Sequence, residues 1–234
     1  MSRGLGDVYK RQNKMLNSSN YRYPAFLCLK DKKCVIIGGG TVAARKLTTL
    51  AEADATVLVV APDFCSQTLA AAEKYQCKLV RDVYNISYIR DAFLVVAATD
   101  NTEINREISS AAPCLCNNIT EPELSNFIVP STFSEGNITV ALVTGGMPAF
   151  TRLLKKHLQG TFTPALADFN DFLLQQREIV KSIPSTPEER TLFWRTYLNE
   201  ELLNLVLAGD AALAKEKIID AISSFRTQSQ NSPC

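Results

Sequence analysis

The sequence predicts an α/β protein: a parallel sheet covered by helices on both faces, then a small strand-and-helix segment, then a helical end. Three observations carry this. Short runs of β-branched and apolar residues read as unbroken rather than alternating, which is what strands buried on both faces require. They alternate with segments of helical periodicity, the pattern of βαβ units. Beyond Thr163 the signal is wholly helical.

Met1–Asn20 has no sustained apolar periodicity and reads as a tail, and Met1–Gln12 matches nothing in this pattern, so it is left out of it. Lys33–Ile37 (KCVII) is the first strand, followed at once by Gly38-Gly39-Gly40. Val42–Glu52 puts Val42, Leu47 and Leu50 near one face of a helix. Thr56–Val60 is the second strand, stopped by Ala61-Pro62-Asp63, and Ser66 is placed to cap a helix through Tyr75. Lys78–Val80 and Phe93–Ala98 are the third and fourth strands, Thr102–Ala112 is a helix, and Pro113–Asn117 leads into a fifth strand. After Asn118, Phe127–Pro130 reads as extended and Asn137–Thr144 as strand-like, and Thr144-Gly-Gly-Met-Pro148 connects tightly to a helix through Gln159. Helices over Pro164–Lys181, Pro187–Asn199, Glu200–Ala208 and Asp210–Phe225 follow, broken by Pro184, Pro187 and Gly209-Asp210. The expected organisation is a tail over 1–20, a sheet domain over 21–131, a small α/β segment over 132–162 and a helical domain over 163–234.

Composition narrows the function. Among 234 residues, 25 Lys and Arg face 24 Asp and Glu, and 46% are hydrophobic. A chain of this length buries a substantial core, and a net charge of +1 lacks the basic excess of a nucleic-acid binder. There is no apolar run of roughly 18 residues, so no membrane-spanning helix is expected. His157 is the sole histidine, which excludes a His-rich metal site within one chain. The seven cysteines include no C-x-x-C pair, and Cys114-x-Cys116 alone is weak for zinc, so no metal is expected. Several cysteines lie in or beside apolar runs, where a reduced buried thiol is the plain reading. With no secretory apolar region at the start, the expected location is the cytoplasm.

Gly38-Gly39-Gly40-Thr41-Val42-Ala43 fits G-x-G-x-x-G/A, directly after a strand and opening a helix. Gly38 permits the tight turn, Gly40 lets a pyrophosphate approach the backbone, and Ala43 allows close helix–strand packing. The helix start at Thr41 and Val42 offers free N–H groups to phosphates. Gly38, Gly39, Gly40, Thr41 and Val42 are therefore candidate dinucleotide contacts in a Rossmann-type domain; a glycine turn needed only for packing is the alternative. Past Pro62, Asp63 can reach a ribose hydroxyl or be a turn aspartate. No Arg follows it to receive a 2′-phosphate, which favours NAD over NADP. Ala97-Ala98-Thr99-Asp100 ends the fourth strand at the edge where such sheets bind ligands, so Thr99 and Asp100 are further candidates; alternatively Asp100 and Asn101 cap the next helix.

Taken in order, Tyr23-Pro-Ala-Phe-Leu-Cys-Leu-Lys30, Val35-Ile-Ile-Gly-Gly-Gly-Thr-Val-Ala-Ala-Arg-Lys46, Val59-Val-Ala-Pro62 and Ala97-Ala-Thr-Asp100 resemble one family. So do Asn117, Pro122-Glu-Leu-Ser-Asn-Phe-Ile-Val-Pro-Ser131, and Thr144-Gly-Gly146 leading into Arg152-Leu-Leu-Lys155. This is the precorrin-2 dehydrogenase family, the amino-terminal module of siroheme synthases, some of whose members also chelate iron. The resemblance covers Tyr23 to Leu158, and Phe193-Trp194 is similar to the family's helical tail. It implies NAD-dependent oxidation of precorrin-2 to sirohydrochlorin on the route to sirohaem, in a homodimer. A bifunctional dehydrogenase and ferrochelatase, or an NAD-sensing module without turnover, are the competing readings.

In the family an aspartate lies three residues after the Asn that matches Asn117; here that position is Thr120, followed by Glu121. A threonine hydroxyl is a poor base at neutral pH. The expectation is that Glu121, with its pKa raised by screening from water, assists deprotonation, while Asn117 and Thr120 orient the substrate. The alternatives are that the proton leaves to water or through the substrate's own carboxylates, that the match slips by one residue, or that Glu121 faces solvent and binding alone carries the oxidation. His157 reads as a solvated helix histidine, and Arg152, Lys155 and Lys156 as a solvated face or an attraction for a polycarboxylate. The apolar residues Ile138, Val140, Leu142, Phe150, Leu153 and Leu154 lie outside the nucleotide-binding unit and are expected to meet a second copy of the chain, which makes 132–162 the expected dimerisation segment.

Overall fold

The computed structural model describes residues 23–231, so the tail expected over 1–20 lies outside the described residues. The described chain divides into two compact units between Val129 and Pro130.

In the first unit, β1 (Lys33–Ile37), β2 (Thr56–Ala61), β3 (Lys78–Arg81), β4 (Leu94–Ala97) and β5 (Leu115–Asn118) form one sheet in the order β3-β2-β1-β4-β5. Every pairing is parallel. Helices α1 (Thr41–Ala51), α2 (Ser66–Tyr75) and α3 (Thr102–Ala111) connect the strands, and a short 3-10 turn (Ile86–Tyr88) lies between β3 and β4. The unbroken apolar strands are explained by two cores. Cys34, Ile36, Val57, Val59, Leu94 and Val96 pack on one face with Leu47 and Leu50 of α1 and Ala72 of α2. Val35, Ile37, Val60, Val95 and Ala97 pack on the other with Ile89 and Ile108. Each such Val or Ile, fully buried, contributes about 1.5–3 kcal/mol of transfer free energy. Ser66 does not cap α2: Cys65 holds the cap position, with no side-chain cap bond, and Ser66 is the first helical residue.

The second unit opens with a hairpin, β6 (Ser131–Glu135) antiparallel to β7 (Ile138–Leu142). Its turn needs Gly136, at φ +54°, where a Cβ would also sit 2.9 Å from Ala167. The polar run Ser-Thr-Phe-Ser-Glu of β6 does not read as a strand by itself, because Phe133 is its one buried residue. Then come α4 (Pro148–Gln159), α5 (Pro164–Ser182), α6 (Pro187–Tyr197), α7 (Glu200–Leu207) and α8 (Ala211–Asn231). Phe169, Val180, Phe193, Leu202, Val206 and Ile218 make the helical core. The break before Pro187 is built by Thr186, whose hydroxyl accepts from Glu189 N–H while the Glu189 carboxylate accepts from Thr186 N–H. α8 continues past Phe225 to Asn231.

Candidate functional site

The sheet order reverses beside β1, so the loops after β1 and β4 part around a crevice at the carboxyl edge, where ligands of such sheets bind. Gly38 sits at its base with φ +129°, and a Cβ there would lie 2.1 Å from the Ala98 carbonyl oxygen. Gly39 meets the loop after β2 instead: a Cβ would lie 2.0 Å from the Asp63 carbonyl oxygen. Gly40 differs from both. Its backbone is extended at φ −82°, open to any residue, and a Cβ there would meet nothing within 4 Å. Internal packing does not call for a glycine at that position, and the open space there leaves room for the approach of an outside group. α1 begins there with no side-chain cap bond and no acid in its first turn, so the N–H groups of Thr41 and Val42 face that approach. Ala43 is fully buried, as close helix–sheet contact requires.

The loop after β2 is tied to the glycines. Cys65 N–H donates to the Gly39 carbonyl at 2.9 Å, and the buried Thr68 hydroxyl lies 2.9 Å and 3.2 Å from the Gly39 and Gly40 carbonyls. This holds Pro62 and Asp63, both exposed, beside the crevice. Arg81, from the end of β3, donates to Asp63 Oδ1 at 3.1 Å. The absence of an Arg directly after Asp63 is thus no guide to the charge around it, because the sheet register delivers one from eighteen residues away.

At the end of β4, Thr99 is engaged within the chain: its hydroxyl donates to Asn105 Oδ1 at 2.7 Å, which also accepts from Thr99 N–H at 3.2 Å. Asn101, not Asp100, caps α3, accepting from Glu103 and Ile104 N–H. Asp100 is left exposed on the edge. Asn105, fully buried on α3, also donates to the Thr120 hydroxyl at 3.2 Å. That hydroxyl in turn donates to Asn118 Oδ1 at 2.8 Å, and the same oxygen accepts from the N–H groups of Thr120 and Glu121 at 2.9 Å and 3.0 Å. Asn118 is buried, and its amide donates to Asn105 O and Ser109 Oγ. Thr99, Thr120 and the two asparagines are one network joining β4, α3 and β5. Nothing in local periodicity marks Asn105 or Asn118; a polar residue at mid-helix and one after a strand are unremarkable until the fold brings them together.

Glu121 is not a carboxyl with a raised pKa. Arg106 of α3 holds it through two hydrogen bonds of 2.7 Å and 2.6 Å, and this keeps its pKa below the ordinary carboxylate value, outweighing the opposing desolvation. Burial was expected to dominate, but a charged partner does. Asn117 lies on the opposite strand face from Asn118, and its side chain makes no hydrogen bond to any described residue. His157 is exposed in the last turn of α4, next to exposed Lys156. Cys34, fully buried, has its thiol pushed up to about 11, chiefly by burial, as a packing residue does. No helix among the described residues is long and apolar enough to cross a membrane.

The chain is similar to known proteins in both of its units. Residues 25–131 match a putative NAD(P)-binding family, and residues 165–222, spanning most of α5 to α8, match the sirohaem synthase dimerisation region. Siroheme synthase 2 of Cronobacter sakazakii is 33% identical over 86% of this chain and 45% of its own. A siroheme synthase of Nitrosospira multiformis is 36% identical over 82% of this chain and 42% of its own. The chain thus spans less than half the length of these relatives. The solved structure of SirC, a precorrin-2 dehydrogenase, shares the fold with a TM-score of 0.70 at 19% identity, covering 87% of this chain and all of that one. With a putative NAD(P)-binding region followed by a sirohaem synthase dimerisation region, the chain belongs to the siroheme synthase family.

Proposed function

We propose that the chain is an NAD-dependent dehydrogenase that oxidises precorrin-2 to sirohydrochlorin, working in the cytoplasm as a homodimer. Gly40 is the observation that carries the cofactor half: it is a glycine whose backbone and neighbours would accept a side chain, at the mouth of an uncapped helix. The substrate half rests on the relatives, which are named siroheme synthases, and on the fold shared with a protein named precorrin-2 dehydrogenase.

The nicotinamide supplies a hydride acceptor when bound. The chain's own residues bind and orient around it. Gly38–Val42 take the pyrophosphate, Asp63 beside Pro62 takes a ribose hydroxyl, and Thr99 and Asp100 line the edge after β4. Asn117, whose amide has no hydrogen-bond partner among the described residues, hydrogen-bonds the substrate. Thr120 is held in one orientation by Asn105 and Asn118, so its oxygen is a fixed polar contact rather than a base. Glu121, ionised and paired with Arg106, fixes the turn that carries Thr120. The ring gives up a hydride and a proton; with Glu121 a weak base, the proton leaves to water or through the substrate's own carboxylates.

The test is the appearance of NADH absorbance when precorrin-2 and NAD are mixed with the full chain. Tight NAD binding without NADH formation would leave the sensing reading in its place.

A further inference from the structure

β2 and β3 are in register so that Ala61 pairs with Arg81, which puts the Arg81 side chain across the loop that follows β2. Its guanidinium carbon lies 5.5 Å from the Phe64 ring centroid, and Nη1 donates to Asp63 Oδ1 at 3.1 Å. Both side chains are open to solvent, Arg81 at 61% and Asp63 at 93%, so the pair adds little to stability. The loop carrying it does not swing freely. The Asp63 carbonyl oxygen packs against Gly39, and Cys65 N–H is bonded to the Gly39 carbonyl. The phosphate cradle and this acid–base pair are therefore one piece.

A dinucleotide seated at α1 directs its adenosine ribose toward the end of β2. There a carboxylate accepts from a 2′-hydroxyl and repels a 2′-phosphate, whereas a guanidinium attracts the phosphate as a two-pronged donor. A lone aspartate would reject NADP strongly; this one carries a guanidinium on its shoulder. We propose that Arg81 is a cofactor-selecting residue: it orients Asp63 for the ribose diol of NAD and offsets the repulsion of a 2′-phosphate, so that the chain binds both nucleotides and prefers NAD by a narrow margin. The proposal rests on the dinucleotide reading of the glycine crevice.

The experiment is calorimetric titration of the full chain with NAD and with NADP, for wild type, Arg81→Gln, Asp63→Asn and the double variant. Gln keeps most of the stem over Phe64 while removing the charge. Arg81→Gln is expected to weaken NADP about tenfold and NAD by no more than about threefold, the scale of one charged hydrogen bond. Asp63→Asn frees Arg81 and is expected to tighten NADP, a gain that disappears in the double variant. An NADP-to-NAD affinity ratio identical in wild type and Arg81→Gln, or an Asp63→Asn gain that survives in the double variant, overturns the proposal alone. If wild type binds neither nucleotide, the crevice reading fails and the proposal with it.

Discussion

Arg106 closes on Glu121 with two parallel hydrogen bonds, Nε to Oε2 at 2.7 Å and Nη2 to Oε1 at 2.6 Å. The fork fixes the turn after β5 against α3, and it keeps Glu121 ionised. With its pKa held below the ordinary 4.5, Glu121 is an anion throughout the neutral range.

This predicts an acid-sensitive contribution to stability. The pKa is lower folded than unfolded, so the unfolded chain takes up the proton first on acidification. The stabilisation is full above the ordinary carboxylate value of 4.5 and is lost as pH falls through the folded value. The difference in Tm between wild type and Glu121→Gln should be level from neutral pH to about 5 and close below that. A difference that widens on acidification contradicts the pairing. In turnover, Glu121→Gln should retain most of the NADH-forming rate, since a low-pKa carboxylate is a weak base.

The three glycines should separate by experiment. Gly40→Val is expected to fold with a near-normal Tm and to lose NAD binding, because its side chain enters only the space a pyrophosphate needs. Gly38→Ala is expected to destabilise by at least about 2 kcal/mol, from the left-handed backbone and the clash with the Ala98 carbonyl. Retained NAD affinity in a folded Gly40→Val protein would remove the crevice assignment.

Asn118→Ala should be costly for a different reason. Two backbone N–H groups, of Thr120 and Glu121, and the Thr120 hydroxyl all donate to Asn118 Oδ1. Removing that acceptor at a buried site should cost about 2–4 kcal/mol, measured by denaturant unfolding. The loss should spread to the Thr120 side chain, raising KM for the tetrapyrrole more than it lowers kcat.

How much of this was legible in the sequence depends on range. The strand KCVII, the three glycines and the helix behind them are neighbours, and local pattern sufficed to place them on one edge. β6 was not legible, because its pairing with β7 exists only once the Gly136 turn brings Phe133 opposite Val140. Arg106 with Glu121, Asn105 with Thr120 and Arg81 with Asp63 stand fifteen to eighteen residues apart, one partner of each pair on a helix or strand and the other in a loop. No helical or strand period links such pairs; the register of the parallel sheet does. The raised pKa expected for Glu121 failed on this point, since a partner invisible in sequence outweighs burial.

The apolar surface of the second unit leads to the last prediction. On α4 no residue is buried, and Phe150 and Leu153 stand 50% and 63% exposed, with Met147 at 62% just before the helix. An amphipathic helix whose apolar side faces water is incomplete as a monomer. The dimerisation region matched by family lies over residues 165–222, where Leu192, Leu203 and Leu213 are also exposed. A second copy of the chain is the expected occupant of these surfaces, and sedimentation should give a mass near twice 25.8 kDa. Phe150→Glu with Leu153→Glu places two charges on a face whose burial they forbid, while removing nothing from the monomer's core. Loss of the dimer with retained NAD affinity would assign part of the interface to α4. A dimer unaffected by both charges would confine it to the helices after Thr163, and a mass of one chain at all concentrations would rule out the homodimer.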